Sequence, residues 1–298
     1  MAKASSAKKS KRGAKASRSA FRAKPKAAKK PAKKPAKKPA KKPPVAKKKP
    51  ATPKQAPSLS PLGDLVLGEI TVPSGQLGIF DIGLFGYLPL PALEPAIVKT
   101  RVPPDRPLPV VGRRVGVGRF SERWDHVAIV LGDGEPVATK KLGEAGVDFA
   151  QLALVDLAVL EHWQHEDSLD GRADVIFSGR DERLLASAMV APRTTDGYGW
   201  TDLLLAQAEA KADTAARKKA ENRWLLEITT RPHSHHFQVL AAARGNRFQA
   251  GQLELAGARM MVLLTGWGEA VVPIFVDLDA SDQPVRIRIQ LATIDVDN

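Results

Sequence analysis

From residue 28 to residue 43 the chain reads Ala-Lys-Lys-Pro four times without a break, and this repeat limits what its opening stretch can become. A proline at every fourth position removes a backbone donor and clashes with the preceding turn, so no continuous α-helix can run through it. Each residue before a proline is also pushed toward extended backbone. Neighbouring lysines repel one another. The surrounding segment, residues 1–57, holds 22 Lys and Arg and no acidic residue. It is expected to be a disordered, locally polyproline-like arm with no core of its own. The whole chain carries +14, so residues 58–298, with 24 basic against 32 acidic side chains, carry −8. This is an acidic domain with a cationic extension, an asymmetry that suits a polyanion-binding tail.

Nucleic acid fits such an arm, because each lysine that neutralises a phosphate releases a condensed counterion, a gain that is independent of sequence and steeply dependent on salt. The expected contacts are Lys29, Lys30, Lys33, Lys34, Lys37, Lys38, Lys41, Lys42, Lys47, Lys48 and Lys49. Phe21 is the arm's one aromatic residue, which gives base stacking no platform. The Lys-Lys-Pro-Ala pattern resembles the tails of linker histones and similar tails on some bacterial nucleoid proteins. That resemblance implies DNA association and does not extend into the following domain. No apolar run approaches the ~20 residues of a membrane helix. The N-terminus lacks the apolar stretch of a secretory signal. Cysteine is absent, so thiolate metal sites and disulfides are not available.

Residues 58–298 read as one acidic, β-rich α+β domain with a central helical region, and 181–221 as a helical insertion within it. Strands are expected at 65–72, 76–81, 96–102 and 110–120. Residues 124–131 and 136–142 flank Gly132-Asp133-Gly134-Glu135 as a β-hairpin. Leu152, Val155, Val159 and Trp163 recur at helical spacing, so 149–166 is expected to be a helix. Further helices are expected at 181–190 and at 201–221, the latter capped by Thr201. Residues 194–199 read as loop. Strands follow at 224–230, 237–243, 259–265, 271–277 and 284–291. In the last of these, Val285, Ile287, Ile289 and Leu291 alternate with Arg286, Arg288 and Gln290, as a half-buried strand requires.

Gly68-Glu69-Ile70 with Pro73-Ser74-Gly75-Gln76-Leu77, then Gly146-Val147-Asp148 and Thr265-Gly266-Trp267-Gly268, form a recognisable set. It resembles a bacterial domain family of unknown function that opens on Pro-Ser-Gly-x-Leu and carries Gly-Trp-Gly near its end. Ala270 and Val272 depart from the family's glycine and tyrosine in that last loop. The resemblance implies a compact β-rich domain of bacterial origin and no reaction.

Residues that could carry chemistry are sparse. His162 and His165 would share a helix face at i, i+3, and His233, His235 and His236 follow Pro232. Together they could supply zinc ligands, although the zincin spacing of i, i+4 around a glutamate is missing. Gly116-Val117-Gly118 lacks the Gly-Lys-Ser/Thr of a phosphate loop. Ser178 lacks a nucleophile elbow, and Ser74 lies in a turn. Asp277, Asp279 and Asp282 suit a hairpin turn better than a calcium loop. Trp267 is expected to pack over a strand. Arg113, Arg114, Arg119 and Arg123 could extend the arm's phosphate track.

The sequence therefore supports a non-enzymatic bacterial protein, cytoplasmic and nucleoid-associated. Its arm meets DNA or another polyanion, and its domain meets an unknown protein or ligand, with no cofactor and no membrane. The arm could also fold back on the acidic domain and be displaced by nucleic acid. The alternative is a metal-dependent hydrolase acting on nucleic acid through the histidines.

Overall fold

A computed structural model describes residues 64–104, 106–115 and 123–292. The arm and its eleven named lysines lie outside the described residues, as does Arg119. The domain is β-rich α+β, built on three antiparallel sheets.

The first sheet has six strands: β1 (Leu65–Ile70), β4 (Leu108–Arg114), β5 (Trp124–Val130), β15 (Pro284–Gln290), β14 (Ala270–Leu278) and β6 (Ala138–Val147), side by side in that order. The second has five: β12 (Ala250–Leu255), β13 (Ala258–Leu264), β7 (Gln151–Asp156), β2 (Gln76–Asp81) and β3 (Val98–Arg101). They face each other over the main core, where Trp124, Val127, Ile274, Ile287 and Ile289 of the first meet Leu77, Ile79, Leu152, Leu154 and Met261 of the second. Alternation along each strand sends every second side chain inward. One edge is stitched across the sheets: Thr71 N–H donates to the Arg259 carbonyl at 2.9 Å, Arg259 N–H returns to Thr71 Oγ1 at 2.7 Å, and the Arg259 guanidinium pairs with Glu69.

The second sheet is covered on its other face too. Phe80, Ala153, Val155, Met260 and Val262 pack against α4 (His235–Gly245), the one-turn α1 (Leu90–Leu93) and the 3-10 turns Ile82–Gly86 and Leu157–His162. Helix α4 lies so close to β12 that a Cβ on Gly251 would come within 2.2 Å of the Val239 carbonyl oxygen. Only glycine fits there.

Between that layer's 3-10 turn and α4 the chain builds a separate unit. Strands β11 (Glu227–Pro232), β8 (Arg172–Ser178), β10 (Gly197–Leu204) and β9 (Arg193–Thr194) form the third sheet in that order. Helices α2 (Glu182–Met189) and α3 (Leu205–Asn222) cover it. Its buried apolar residues are few: Phe177, Leu185, Ala186, Ala215 and Leu226 in one cluster, Ala173, Val175 and Ala208 in another.

Several expectations are corrected. Residues 149–166 are not a helix; β7 occupies the first half and a 3-10 turn the second. Strand β7 is covered on both faces, Leu152 and Leu154 by one core and Ala153 and Val155 by the other. Its unbroken apolar run therefore lets a 3.6 period be read through it. Residues 237–243 are helical rather than extended, opened by Ser234, whose hydroxyl accepts from Phe237 N–H. Strands β5 and β6 do not pair as a hairpin; the β14–β15 hairpin inserts between them. Thr201 is no cap, since β10 runs to Leu204 and α3 starts at Leu205. Strand β10 also takes in part of the expected loop 194–199, and β8 and β12 add strands where none were expected.

Candidate functional site

Three places in the domain gather chemistry-bearing side chains. The first lies where the described chain begins. Asp64, with only 1% of its surface exposed, accepts a 2.8 Å bond from Arg113 Nε, and Leu65 pairs with Gly112. The described chain thus starts beside Arg113. Next to it the Arg114 guanidinium lies 3.6 Å above the Trp124 ring and donates to the Arg247 carbonyl at 3.3 Å. The Arg247 guanidinium sits 4.6 Å from the Phe248 ring, and Arg123 4.8 Å from Trp267. The rings hold one another: Trp124 and Phe248 are 6.5 Å apart, and Trp267 Nε1 donates to the Trp124 carbonyl at 2.8 Å. Trp267 therefore packs against the main core as expected, and its outer side carries an arginine. Stacking fixes the plane of a guanidinium while its N–H edges keep the geometry that suits a phosphate. Arg247 escapes a sequence reading because its neighbours come from the far end of β4 and β5. The adjacent pairs Arg123-Trp124 and Arg247-Phe248 were the one available signal.

The second place joins the two histidine clusters around Trp163. The rings of His165 and His236 stack at 3.9 Å, and His235 stacks on Trp163 at 5.7 Å. Each imidazole has one nitrogen engaged. His165 Nδ1 accepts from Trp163 Nε1 at 3.3 Å, His235 Nδ1 accepts from Gln164 N–H at 3.0 Å, and His236 Nε2 bonds Gln151 Oε1 at 2.8 Å. Face-to-face rings direct their nitrogens along parallel planes rather than toward one ion. Among the described residues no three His, Asp or Glu are arranged to hold a metal. Burial, with His165 and Arg244 nearby, pushes His236 down to about 3. Burial also lowers His165 and His235. His235 and His236 open α4, His165 lies between the 3-10 turn and β8, and all three pack against Trp163 or each other. His162 is exposed at the end of the 3-10 turn and does not share a face with His165. His126, absent from both sequence clusters, is buried in β5 with Nδ1 2.7 Å from Asp125.

The third place is a groove between the inserted unit and α4, in two adjoining lobes of about 240 and 260 Å³ that share Asp174, Asp196, Arg231, Ala241 and Arg244. His233 stands in it, Nδ1 at 2.8 Å from Asp170 and Nε2 at 3.2 Å from Asp174. Burial alone would lower its pKa, but the two carboxylates outweigh burial and raise it. Arg231 pairs with Asp196 at 2.6 Å. The lining residues come from β8, the β9–β10 turn, β11 and α4, a span too wide for any local motif to mark.

The remaining candidates are structural. Ser74 caps its turn by bonding Asp156 through N–H at 2.7 Å and Oγ at 2.5 Å. Asp279 Oδ1 accepts from the N–H groups of Ser281 and Gln283 in the final hairpin turn, while Asp277 is buried with Arg286, Arg288 and Thr139. Ser178 lies exposed at the end of β8. No helix among the described residues is long and apolar enough to cross a membrane.

Compared with models of protein families, with curated proteins and with solved structures, the chain matches none of them.

Proposed function

We propose that residues 1–57 hold the chain on nucleic acid through its phosphate backbone, and that the acidic domain is a non-enzymatic interaction or regulatory module carried there. The observation that supports this reading is the arginine surface near the start of the described chain. Arg114, Arg123 and Arg247 lie on aromatic rings, and Arg114 follows Arg113, the partner of Asp64 where the described chain begins. They would continue the lysine track onto the domain, with contacts to phosphate and little sequence preference. A bacterial cytoplasm with the nucleoid as partner is the setting this reading implies. Membership of the bacterial family that the Pro-Ser-Gly-x-Leu and Gly-Trp-Gly segments resemble is part of the same proposal. Those segments form the turn between β1 and β2 and the link from β13 to β14.

The test is duplex DNA affinity against salt. The eleven lysines from Lys29 to Lys49, each on one phosphate, give a log–log slope of about −10. A chain beginning at Ser58 should lose most of that slope. Replacing Arg114, Arg123 and Arg247 by Gln in the full chain should reduce it by about 1 per lost contact. Equal binding by the full and shortened chains would remove the arm from the mechanism.

A further inference from the structure

We propose that the groove between the inserted sheet and α4 is a binding site for a small oxyanion, a phosphate or carboxylate on a short hydroxyl-bearing body. Two of the three cations that line the groove are already answered, Arg231 by Asp196 at 2.6 Å and His233 by Asp170 and Asp174 at 2.8 and 3.2 Å. Asp174 Oδ1 is further engaged by the Asp202 N–H at 2.8 Å. Arg244, exposed in the last turn of α4, has no carboxylate partner among the described residues. Three carboxylates, Asp170, Asp174 and Asp196, balance the three cations, but both carboxylates on His233 are taken by that one imidazole, so the Arg244 guanidinium with its five N–H donors stands outside the ion pairs.

Arg231 and Arg244 line both lobes, as do Asp174 and Asp196, which are engaged with His233 and Arg231, so the seat for an anion is beside Arg244 where the lobes join. Thr194, Thr195 and Thr201 line one lobe and Gln238 the other, while Ile176, Phe237 and Ala241 supply apolar wall. Thr194 Oγ1 is shielded from solvent with no hydrogen-bond partner among the described residues. It sits on the two-residue edge strand β9, which can yield to a ligand more easily than a central strand. Clefts at the boundary of two packed units, with a few convergent polar groups on an apolar wall, are where small ligands bind. A charge at the C-terminal end of a helix also stabilises that helix. A role confined to the helix would leave oxyanion binding untouched when Arg244 is replaced.

The test uses the full chain, followed by amide chemical shifts, with inorganic phosphate and acetate titrated in separate samples. Signals of Thr194, Thr195, Asp196 and residues 238–245 should move and saturate with at least one of the two. Saturation by phosphate alone assigns the phosphate chemistry, and by acetate alone the carboxylate chemistry. Arg244→Gln should weaken that binding tenfold or more. Thr194→Val, which keeps the side-chain volume, should weaken it several-fold. Shifts confined to the arm, shifts that never saturate, or an affinity unchanged in Arg244→Gln would overturn the proposal. So would groove shifts produced by duplex DNA but by neither small anion, since Arg247 lies just beyond α4, three residues after Arg244, and the groove would then belong to the nucleic-acid surface. The site does not depend on the arm, so its failure leaves the DNA reading standing.

Discussion

At the scale of single residues, two histidines three positions apart respond to opposite environments. His236 is buried against His165 and Gln151, and its charged form is disfavoured down to about 3. The unfolded chain then binds a proton that the folded one refuses, so its contribution to stability is complete above about 6.5 and is lost as pH falls from there toward about 3, at about 1.4 kcal/mol per unit. His233, clamped by Asp170 and Asp174, is raised instead. Its contribution is complete below about 6.5 and is lost as pH rises through its folded value. Imidazole proton shifts should show His233 titrating above the free-histidine value, while His236 stays neutral to below pH 4.5. Asp170→Asn should bring the His233 midpoint down. A His236 midpoint near 6.5 would mean that the stacked pair is open to water.

Among the elements, the terminal hairpin was the most legible and holds the first sheet together. The alternation of Val285, Ile287 and Ile289 with Arg286 and Arg288 fixes its register, and Ile287 and Ile289 are buried. Sequence could not show that the outward arginines converge. Asp277 on β14, 1% exposed, accepts from both Arg286 and Arg288 and from Thr139 Oγ1 at 2.7 Å. Burial would raise its carboxyl, but the two guanidiniums outweigh it and hold it below the usual range. Its stabilisation is therefore present above about 3.8 and lost as pH falls through its folded value. Asp277→Asn should cost about 3 kcal/mol at pH 7, since it leaves two half-buried guanidiniums without their charge partner. Urea unfolding checks this, and a change under 1 kcal/mol would make the triad a solvated surface pair. Ile287→Ala should cost about 2–5 kcal/mol. Where both faces of an element are buried, legibility failed. Strand β7 lost its alternation, and the run Phe237-Gln-Val-Leu-Ala-Ala-Ala was too short for its period to separate helix from strand. Of the candidate sites, the lysine arm was written in composition. The arginine surface and the groove depend on loops brought together from distant parts of the chain.

For the whole molecule, the division of apolar burial predicts a division of stability. The sandwich shares one large core between two sheets, and its second sheet is buried on both faces. The inserted unit has two small clusters, in which α3 contributes Ala208 and Ala215 as its buried residues. An alanine removes little apolar surface from water, so α3 is held by close approach and not by a large hydrophobic contribution. Links near the groove tie this unit to the rest, among them Leu169 N–H to the His233 carbonyl and His233 N–H to the Arg172 carbonyl, each at 3.0 Å, His233 to Asp170 and Asp174, and Ser234 Oγ to the His165 carbonyl at 2.7 Å. Opening should therefore be sub-global. In native-state hydrogen exchange at neutral pH, amides of β8, β10 and α3 should exchange well before those of β7, β13 and β15. Asp170→Asn should speed the first group while leaving the second unchanged, because it loosens the clamp on His233 without touching the sandwich. Exchange of all three sheets at one common rate would show that the small clusters are cooperative with the large core. The groove would then be a fixed seam, and the oxyanion could not draw the two units together. Faster exchange in the inserted unit, slowed by the anion that saturates the groove, is the result expected of a site that lies across the boundary.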